Sequence, residues 1–257
     1  MAVEVRLVPC LSDNYAVLLR DPATQATAVI DAPEATPIER TLDEAGWKLT
    51  HILITHHHGD HVQGIPALKK RYGAKVIGPR AEADKISGLD EAVGEDDQAA
   101  AGGLKARVIE TPGHTAGHIT YWFEGEKLLF AGDTLFALGC GRPFERPAPV
   151  LWASLLKLRD LPGDTRLYCG HEYTLANARF AVTVDPNNAA LQNRLATIEK
   201  QRKKAEPTLP ALMKDERATN PFLRADQPAV AEAVGMKGAD AAAVFTEIRE
   251  RKNNFRG

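Results

Sequence analysis

Seven side chains placed after apolar runs could bind transition metals. His56, His58, Asp60 and His61 lie in one short run, and His114, Asp133 and His171 follow far along the chain. Imidazole and carboxylate are the donors of catalytic zinc more than of structural zinc. The run itself reads Thr55-His56-His57-His58-Gly59-Asp60-His61. In an extended segment alternate side chains point the same way, so His56 and His58 can share one ion. Gly59 lets the chain turn and aim Asp60 and His61 at a neighbouring ion. One short loop could therefore feed two adjacent metals. An incidental histidine-rich tag would lack the glycine, the aspartate and the apolar strand that precedes them.

The elements that must position these groups can be read from the apolar pattern. His51–Ile54 is a short apolar run with the look of a buried strand, and Val62–Leu68 leads into a helix. The cluster thus sits where a strand hands over to a helix, a usual place for catalytic groups in α/β sheets. Strands are expected at 104–109, 119–123, 127–131 and 166–169. The first runs into Glu110–His114, the third into Gly132-Asp133-Thr134 and the last into Gly170-His171-Glu172. All seven candidates follow predicted strands, which is the convergence that a single site at a sheet edge requires.

Further strands are expected at 3–8, 16–20, 27–31 and 74–78. Helices are expected at 37–45, 66–72 and 151–161, the last with Leu151, Leu155 and Leu158 on one stripe. Residues 81–102 are acidic and Ala/Gly-rich and read as a connecting segment. After His171 the texture changes: 174–205, 208–217 and 239–252 have helical spacing, broken by Pro186, Pro207, Pro210, Pro221 and Pro228. The expectation is an α/β domain over residues 1–172 and an all-α domain over 173–257.

Composition narrows the class of protein. The chain has 257 residues, 44% hydrophobic and 26% charged, with a net charge of −2. Those values suit a water-soluble globular chain and give no electrostatic reason to expect nucleic-acid or membrane binding. No apolar run approaches the roughly 20 residues that span a bilayer. The N-terminus alternates like a strand and lacks a basic region followed by an apolar stretch, so a cytoplasmic protein is expected. Cys10, Cys140 and Cys169 form no CxxC pair and are expected to be reduced. A Cys₄ metal site is excluded by number.

The motifs carry a resemblance. Thr55–His61 resembles the T-H-x-H-x-D-H signature of the metallo-β-lactamase superfamily, and Pro112-Gly113-His114-Thr115, Gly117-His118, Gly132-Asp133-Thr134 and Gly170-His171 resemble its later motifs. A nearer resemblance is to the glyoxalase II family of hydroxyacylglutathione hydrolases. It rests on Gly132–Phe136, Gly139-Cys140-Gly141-Arg142, Gly170–Thr174, Asn220-Pro221-Phe222 and Arg249–Phe255, and it runs nearly end to end.

The resemblance implies an αββα sandwich with a helical C-terminal domain. It implies two metal ions, zinc with iron or manganese as alternatives. His56, His58 and His114 would hold the first, Asp60, His61 and His171 the second, and Asp133 would bridge them, with a metal-bridging hydroxide as nucleophile. His51, His57 and His118 would be supporting residues, His118 the one best placed to orient a ligand. Substrate contacts would come from Arg142, Phe144, Tyr173, Arg249 and Lys252. The implied reaction is hydrolysis of S-D-lactoylglutathione to D-lactate and glutathione, the second half of methylglyoxal detoxification, by a monomer.

The sequence departs from the family in two places. Phe144 stands where the family often has tyrosine, and Arg146-Pro147-Ala148-Pro149 replaces its glycine–threonine step, which alters the loop rimming the substrate. The rival readings are a superfamily hydrolase of another substrate, such as a lactam or lactone, a sulfur dioxygenase, and a protein that binds metal only for stability. A mono-iron dioxygenase would not need Asp60, His61 and His171 together. A lactamase would not need the basic helical tail.

Overall fold

The computed structural model describes residues 2–256. The chain divides into two compact units. One runs through Thr111 and resumes over Thr115–Gly132; the other joins Pro112–His114 to the chain from Asp133 onward. This division groups residues by packing and cuts elsewhere than at residue 172, where the texture of the sequence changes.

The first unit begins with an antiparallel pair, β1 (Glu4–Cys10) and β2 (Asn14–Arg20), in register Val8↔Ala16. β3 (Thr27–Ile30) pairs antiparallel with β2, and the order then turns parallel through β4 (His51–Leu53), β5 (Lys75–Pro79) and β6 (Glu91–Val93). Parallel neighbours need a crossover. Helix α1 (Ala35–Ala45) supplies the one between β3 and β4. Between β4 and β5 lie the single turn α2 (Gly59–Val62) and helix α3 (Ile65–Tyr72).

Ile38 and Leu42 of α1 and Ile65 and Leu68 of α3 pack with Val8, Ala16, Leu18, Val29, Ile52 and Val76 on one face of this sheet. Residues of the opposite parity, Val17, Leu19, Ala28, Ile30, Leu53 and Ile77, are buried as well. A strand covered on both faces reads as a continuous apolar run, which is why His51–Ile54 is legible in the sequence. An antiparallel set of strands, β7 (Gln98–Ala101), β8 (Leu104–Glu110), β9 (Ile119–Phe123) and β10 (Leu128–Phe130), completes the unit. From β9, the Tyr121 hydroxyl donates to the Ile54 carbonyl at 2.8 Å. The strands of residues 81–102, β6 and β7, were not legible: their Ala, Glu and Gln content has weak β propensity, and only pairing with β5 and β8 makes them strands.

The second unit opens with a two-strand hairpin, β11 (Leu135–Phe136) and β12 (Gly139–Cys140), and continues with helix α4 (Ala148–Arg159). β13 (Arg166–Tyr168) pairs antiparallel with β14 (Ala211–Leu212). Thus one short strand does occur beyond residue 171, where helix alone was expected. Pro210 has no N–H to give a helix, and Ala211 and Leu212 pair with Leu167 and Arg166 instead.

The helices of this region are α5 (Thr174–Val184), α6 (Ala189–Lys203), α7 (Met213–Thr219), α8 (Pro228–Ala233) and α9 (Ala241–Asn254). The break at Pro186 is closed by Asn188, whose side chain caps α6 by accepting from Leu191 N–H at 3.1 Å. Trp152, Phe245, Phe222 and Phe180 form a chain of ring contacts 5.5–6.0 Å apart, joining α4, α9, the turn at Pro221–Leu223 and α5. Offset and edge-on aromatic pairs are favourable beyond their area burial.

Candidate metal centre

The histidine run leaves β4 and ends in α2. His58 is the extended residue before that turn, with φ −60° and ψ 144°. His56 and His58 lie on the same side, as alternation demands: Nε2 of His56 is 3.1 Å from Nδ1 of His58. Two nitrogens bound at about 2.0–2.1 Å to a tetrahedral ion stand roughly 3.3 Å apart, so this spacing fits a shared metal. Gly59 uses none of its left-handed freedom, and an added Cβ there would meet nothing within 4 Å. The change of aim toward Asp60 and His61 comes from the start of α2, not from a glycine turn.

Three side chains that the sequence reading missed hold this run. Asp31, at the end of β3, accepts from Thr55 N–H at 2.8 Å and from the Thr55 hydroxyl at 2.9 Å, and its Oδ2 lies 2.8 Å from His61 Nδ1. The proton between that pair belongs on Nδ1, which leaves the Nε2 lone pair of His61 for a metal. Thr55 extends the relay, because its oxygen is 3.0 Å from His56 Nδ1. One buried carboxylate thus orients two imidazoles. Asp31 sits at φ 56°, an uncommon backbone for a residue other than glycine.

Glu82 is the second support. It is buried, it accepts His57 N–H at 2.8 Å and Gly117 N–H at 3.0 Å, and it pairs with the His57 ring at 2.9 Å. Asn14 is the third, donating to Asp60 Oδ2 at 3.0 Å and to the Asp60 carbonyl at 3.2 Å. Each of these lies at or just past a strand end, but nothing in the sequence marks it as different from a turn residue.

His118 stacks on His56 at 4.8 Å between centroids and places Nδ1 3.0 Å from the Thr111 hydroxyl. His51 Nδ1 lies 2.8 Å from the Thr50 hydroxyl. Gly132 precedes Asp133 at φ 47°, and a Cβ there would come within 2.6 Å of Thr55 Oγ1 and 2.7 Å of His118 Nε2, so only glycine fits.

In the second unit, His114, Asp133 and His171 come together although they are 19 and 38 residues apart in sequence. Asp133 Oδ2 is 3.4 Å from His114 Nε2 and 3.3 Å from His171 Nε2. These are again edge lengths of a metal coordination polyhedron. His114 Nδ1 donates to the Arg142 carbonyl at 2.9 Å, which fixes its tautomer with the Nε2 lone pair facing Asp133. The Tyr173 ring lies flat on His171 at 4.7 Å, and Phe144 tilts over His114 at 5.2 Å while remaining 62% exposed. All seven residues belong to His and carboxylate groups that could hold a metal ion.

Three cations gather near Cys140. Arg249 is buried and donates from Nη1 to the Cys140 carbonyl at 2.9 Å, from Nε to Asn253 at 3.2 Å, and lies 5.0 Å over the Phe222 ring. Lys252 donates to the Ala176 carbonyl at 3.1 Å and sits 5.4 Å from the Phe180 and Phe255 rings. Burial, with Arg249 and Arg142 nearby, lowers the Lys252 ammonium to about 8. The three cysteines are buried and free. Burial pushes Cys10 and Cys140 up to about 11 and Cys169 to about 12, so none is a thiolate nucleophile at neutral pH.

Comparison with known proteins matches this architecture. Residues 12–171 match the family model of the metallo-beta-lactamase superfamily, and the chain belongs to that superfamily. Residues 172–255 match the model described as the hydroxyacylglutathione hydrolase C-terminus. The chain is 56% identical over 254 residues to a hydroxyacylglutathione hydrolase of Rhodopseudomonas palustris strain BisB5, covering 99% of this chain and all of that one. Within the superfamily it is a member of the hydroxyacylglutathione hydrolase family.

Among solved structures, ETHE1 from Myxococcus xanthus is similar at TM-score 0.69 and 26% identity, over 97% of this chain and 91% of that one. TTHA1623 in a di-iron-bound form is similar at TM-score 0.55 and 25% identity, over 65% of this chain and 91% of that one. The αββα fold with a helical C-terminal region, expected from the motifs, is the fold found. Among the described residues no helix is long and apolar enough to cross a membrane.

Proposed function

We propose that this chain hydrolyses glutathione thioesters, with S-D-lactoylglutathione giving D-lactate and glutathione, at a centre of two metal ions. The observation that carries the substrate is full-length identity of 56% to a hydroxyacylglutathione hydrolase, joined to the C-terminal match over 172–255. His56, His58 and His114 would hold one ion, Asp60, His61 and His171 the other, and Asp133 would bridge them. Donor spacings of 3.1, 3.3 and 3.4 Å support this assignment, as does the di-iron form of a related structure. Zinc is the proposed metal, with iron or manganese as alternatives, since mixed His/Asp ligation accepts all three.

Two ions held in this way would lower the pKa of water toward neutrality and polarise the thioester carbonyl. The chain's own residues do the rest. Asp31 and the Arg142 carbonyl keep His61 and His114 in the tautomers that present Nε2. Asp60 is held at Oδ2 by Asn14.

Glutathione is anionic, and Arg142, Arg249 and Lys252 supply positive charge for its carboxylates. Nε and Nη1 of Arg249 are engaged with Asn253 and Cys140, so Nη2 is the atom proposed to reach the substrate. Tyr173 and Phe144, 37% and 62% exposed, offer the apolar walls. A thiolate leaving group of pKa about 8.5 departs without a dedicated acid.

The catalytic part is proposed to comprise residues 1–172 and the substrate-binding part 173–257, acting as a cytoplasmic monomer whose size gel filtration measures. The decisive experiment follows loss of the thioester absorbance of S-D-lactoylglutathione with and without chelator. Turnover that disappears on chelation and returns with zinc is the expected result. No turnover by metal-loaded protein would overturn the substrate assignment.

A further inference from the structure

The hairpin β11–β12 lies directly between Asp133 and Arg142. Its turn carries Leu138 at φ 57°. A two-strand hairpin of this size has few internal bonds, so most of its backbone polar groups need outside partners. They find them in side chains from far along the chain.

Asn220 Nδ2 donates to the Phe136 carbonyl at 3.2 Å and to the Gly139 carbonyl at 3.1 Å. Asn177 Nδ2 donates to the Ala137 carbonyl at 3.2 Å. Glu216 Oε2 accepts Leu138 N–H at 2.8 Å, and Arg249 Nη1 donates to the Cys140 carbonyl at 2.9 Å. Five backbone groups of residues 136–140 are therefore satisfied by four side chains, drawn from α5, α7, the residue after α7, and α9.

The clamp is itself built. Glu216 and Asn220 are fully buried, and Glu216 Oε2 lies 3.0 Å from Asn220 Nδ2. Arg194 of α6 pairs with Glu216 Oε1 and donates to the Thr219 hydroxyl at 2.7 Å, which supplies the countercharge a buried carboxylate requires. Asn220 Oδ1 accepts Phe222 N–H at 3.0 Å, so the amide's orientation is set by a bond on its other side. An added Cβ at Gly139 would strike Asn177 at 2.3 Å, and one at Gly141 would strike the Asp133 carbonyl at 1.9 Å. Neither place leaves room for a side chain.

What the hairpin carries makes the clamp matter. Asp133 enters it, Phe136 lies edge-on against the rings of His171 and Tyr173 at 6.0 and 5.4 Å, and the segment leaving it delivers the Arg142 carbonyl to His114 Nδ1. We infer that Asn220 and Glu216, with Asn177, are positioning residues that hold the β11–β12 hairpin and through it set the mutual geometry of His114, Asp133 and His171. The C-terminal helices then act on the metal ligands as well as on the substrate. This inference rests on the reading of those three residues as metal ligands.

The test measures zinc affinity by competition with a chromophoric chelator, alongside kcat, KM and circular dichroism. Its main variants are Asn220→Ala, Asn220→Asp and Glu216→Gln. Asn220→Ala is expected to keep its dichroism and lose about 10- to 100-fold in zinc affinity, the usual cost of disturbing an outer partner of a ligand. Its kcat should fall by more than its KM rises. Asn220→Asp keeps the acceptor for Phe222 N–H but has no donor for the two carbonyls, so it should behave like the alanine variant. Glu216→Gln should show a smaller loss.

If Asn220→Ala fails to fold, Asn177→Ala removes only the bond to Ala137 and should still weaken zinc by a few-fold. Zinc affinity and kcat unchanged in folded variants, with only a lower melting temperature, would overturn the inference and leave the metal reading intact. Wild-type protein that binds no zinc would overturn both.

Discussion

The two sets of proposed metal ligands share a chemistry but differ in how they are held. His56, His58, Asp60 and His61 are supported within the first unit by Asp31, Thr55, Asn14 and Glu82, buried side chains at strand ends of the same sheet or in the loop after it. His114, Asp133 and His171 are held by backbone and hairpin contacts whose own supports come from helices 44 to 116 residues beyond Asp133. In the first, position follows from the parallel sheet and is local. In the second, it follows from the helical region that marks the hydroxyacylglutathione hydrolase family. A shared superfamily site can thus be completed by a family-specific scaffold.

The sharpest way to break this comparison is Asp133→Ala, which removes a carboxylate oxygen 3.4 Å from His114 and 3.3 Å from His171. Metal content by elemental analysis and thioester hydrolysis should be lost together; a variant that keeps both would show that Asp133 bridges nothing. Next in size is Asp31→Ala, which unfastens His61 directly and His56 through Thr55. Zinc affinity should drop about 10- to 100-fold in chelator competition. An unchanged affinity would mean the local carboxylate is structural only.

Glu82→Ala should do less, because the bonds of Glu82 go to His57 and Gly117. Leaving those buried amide donors unmade costs about 1–3 kcal/mol each, so the midpoint of thermal unfolding should fall clearly while zinc affinity changes little. A large loss of zinc without a change in midpoint would reverse the ranking of Asp31 and Glu82.

The smallest effects belong to substrate charge. Lys252→Ala should raise KM for S-D-lactoylglutathione by about tenfold, as expected for one lost hydrogen bond to a charged group of about 1.5 kcal/mol. KM for a small neutral thioester should not move, and equal shifts would remove Lys252 from the carboxylate site. The lowered Lys252 ammonium gives this a pH signature. Its folded value of about 8 lies below the usual 10.5, so the cation is present below pH 8 and lost above it. KM for the anionic thioester should therefore rise as pH passes 8, and the rise should vanish in Lys252→Ala.

Much of the site was legible because metal chemistry limits the choice of residue. Only His and carboxylate at strand ends suit a catalytic ion here, and the spacing of His56 and His58 matches the period of an extended chain. The buried strands were legible for the same kind of reason, since a sheet covered on both faces must be apolar throughout. Asp31, Glu82 and Asn14 were not legible. An acid or amide at a strand end is as common in a turn as beside a ligand, and what distinguishes these three is a partner 24 to 46 residues away.

Gly59 shows the opposite error. The residue reads as a hinge, yet the helix start re-aims the chain without it. The hairpin at 135–140 and the strand Ala211–Leu212 were missed because two-residue strands have no period to detect.

By itself the sequence picked out the candidate donors, most of the strands that present them, and the helical character of the C-terminal third, since each is written in local spacing and composition. Tertiary structure alone decided which nitrogen each imidazole presents, which carboxylates brace ligands, and how Asn177, Glu216, Asn220 and Arg249 converge on one hairpin. The reason is physical: a hydrogen-bond partner is chosen by distance in space, and residues that far apart in sequence leave no periodic trace of having met.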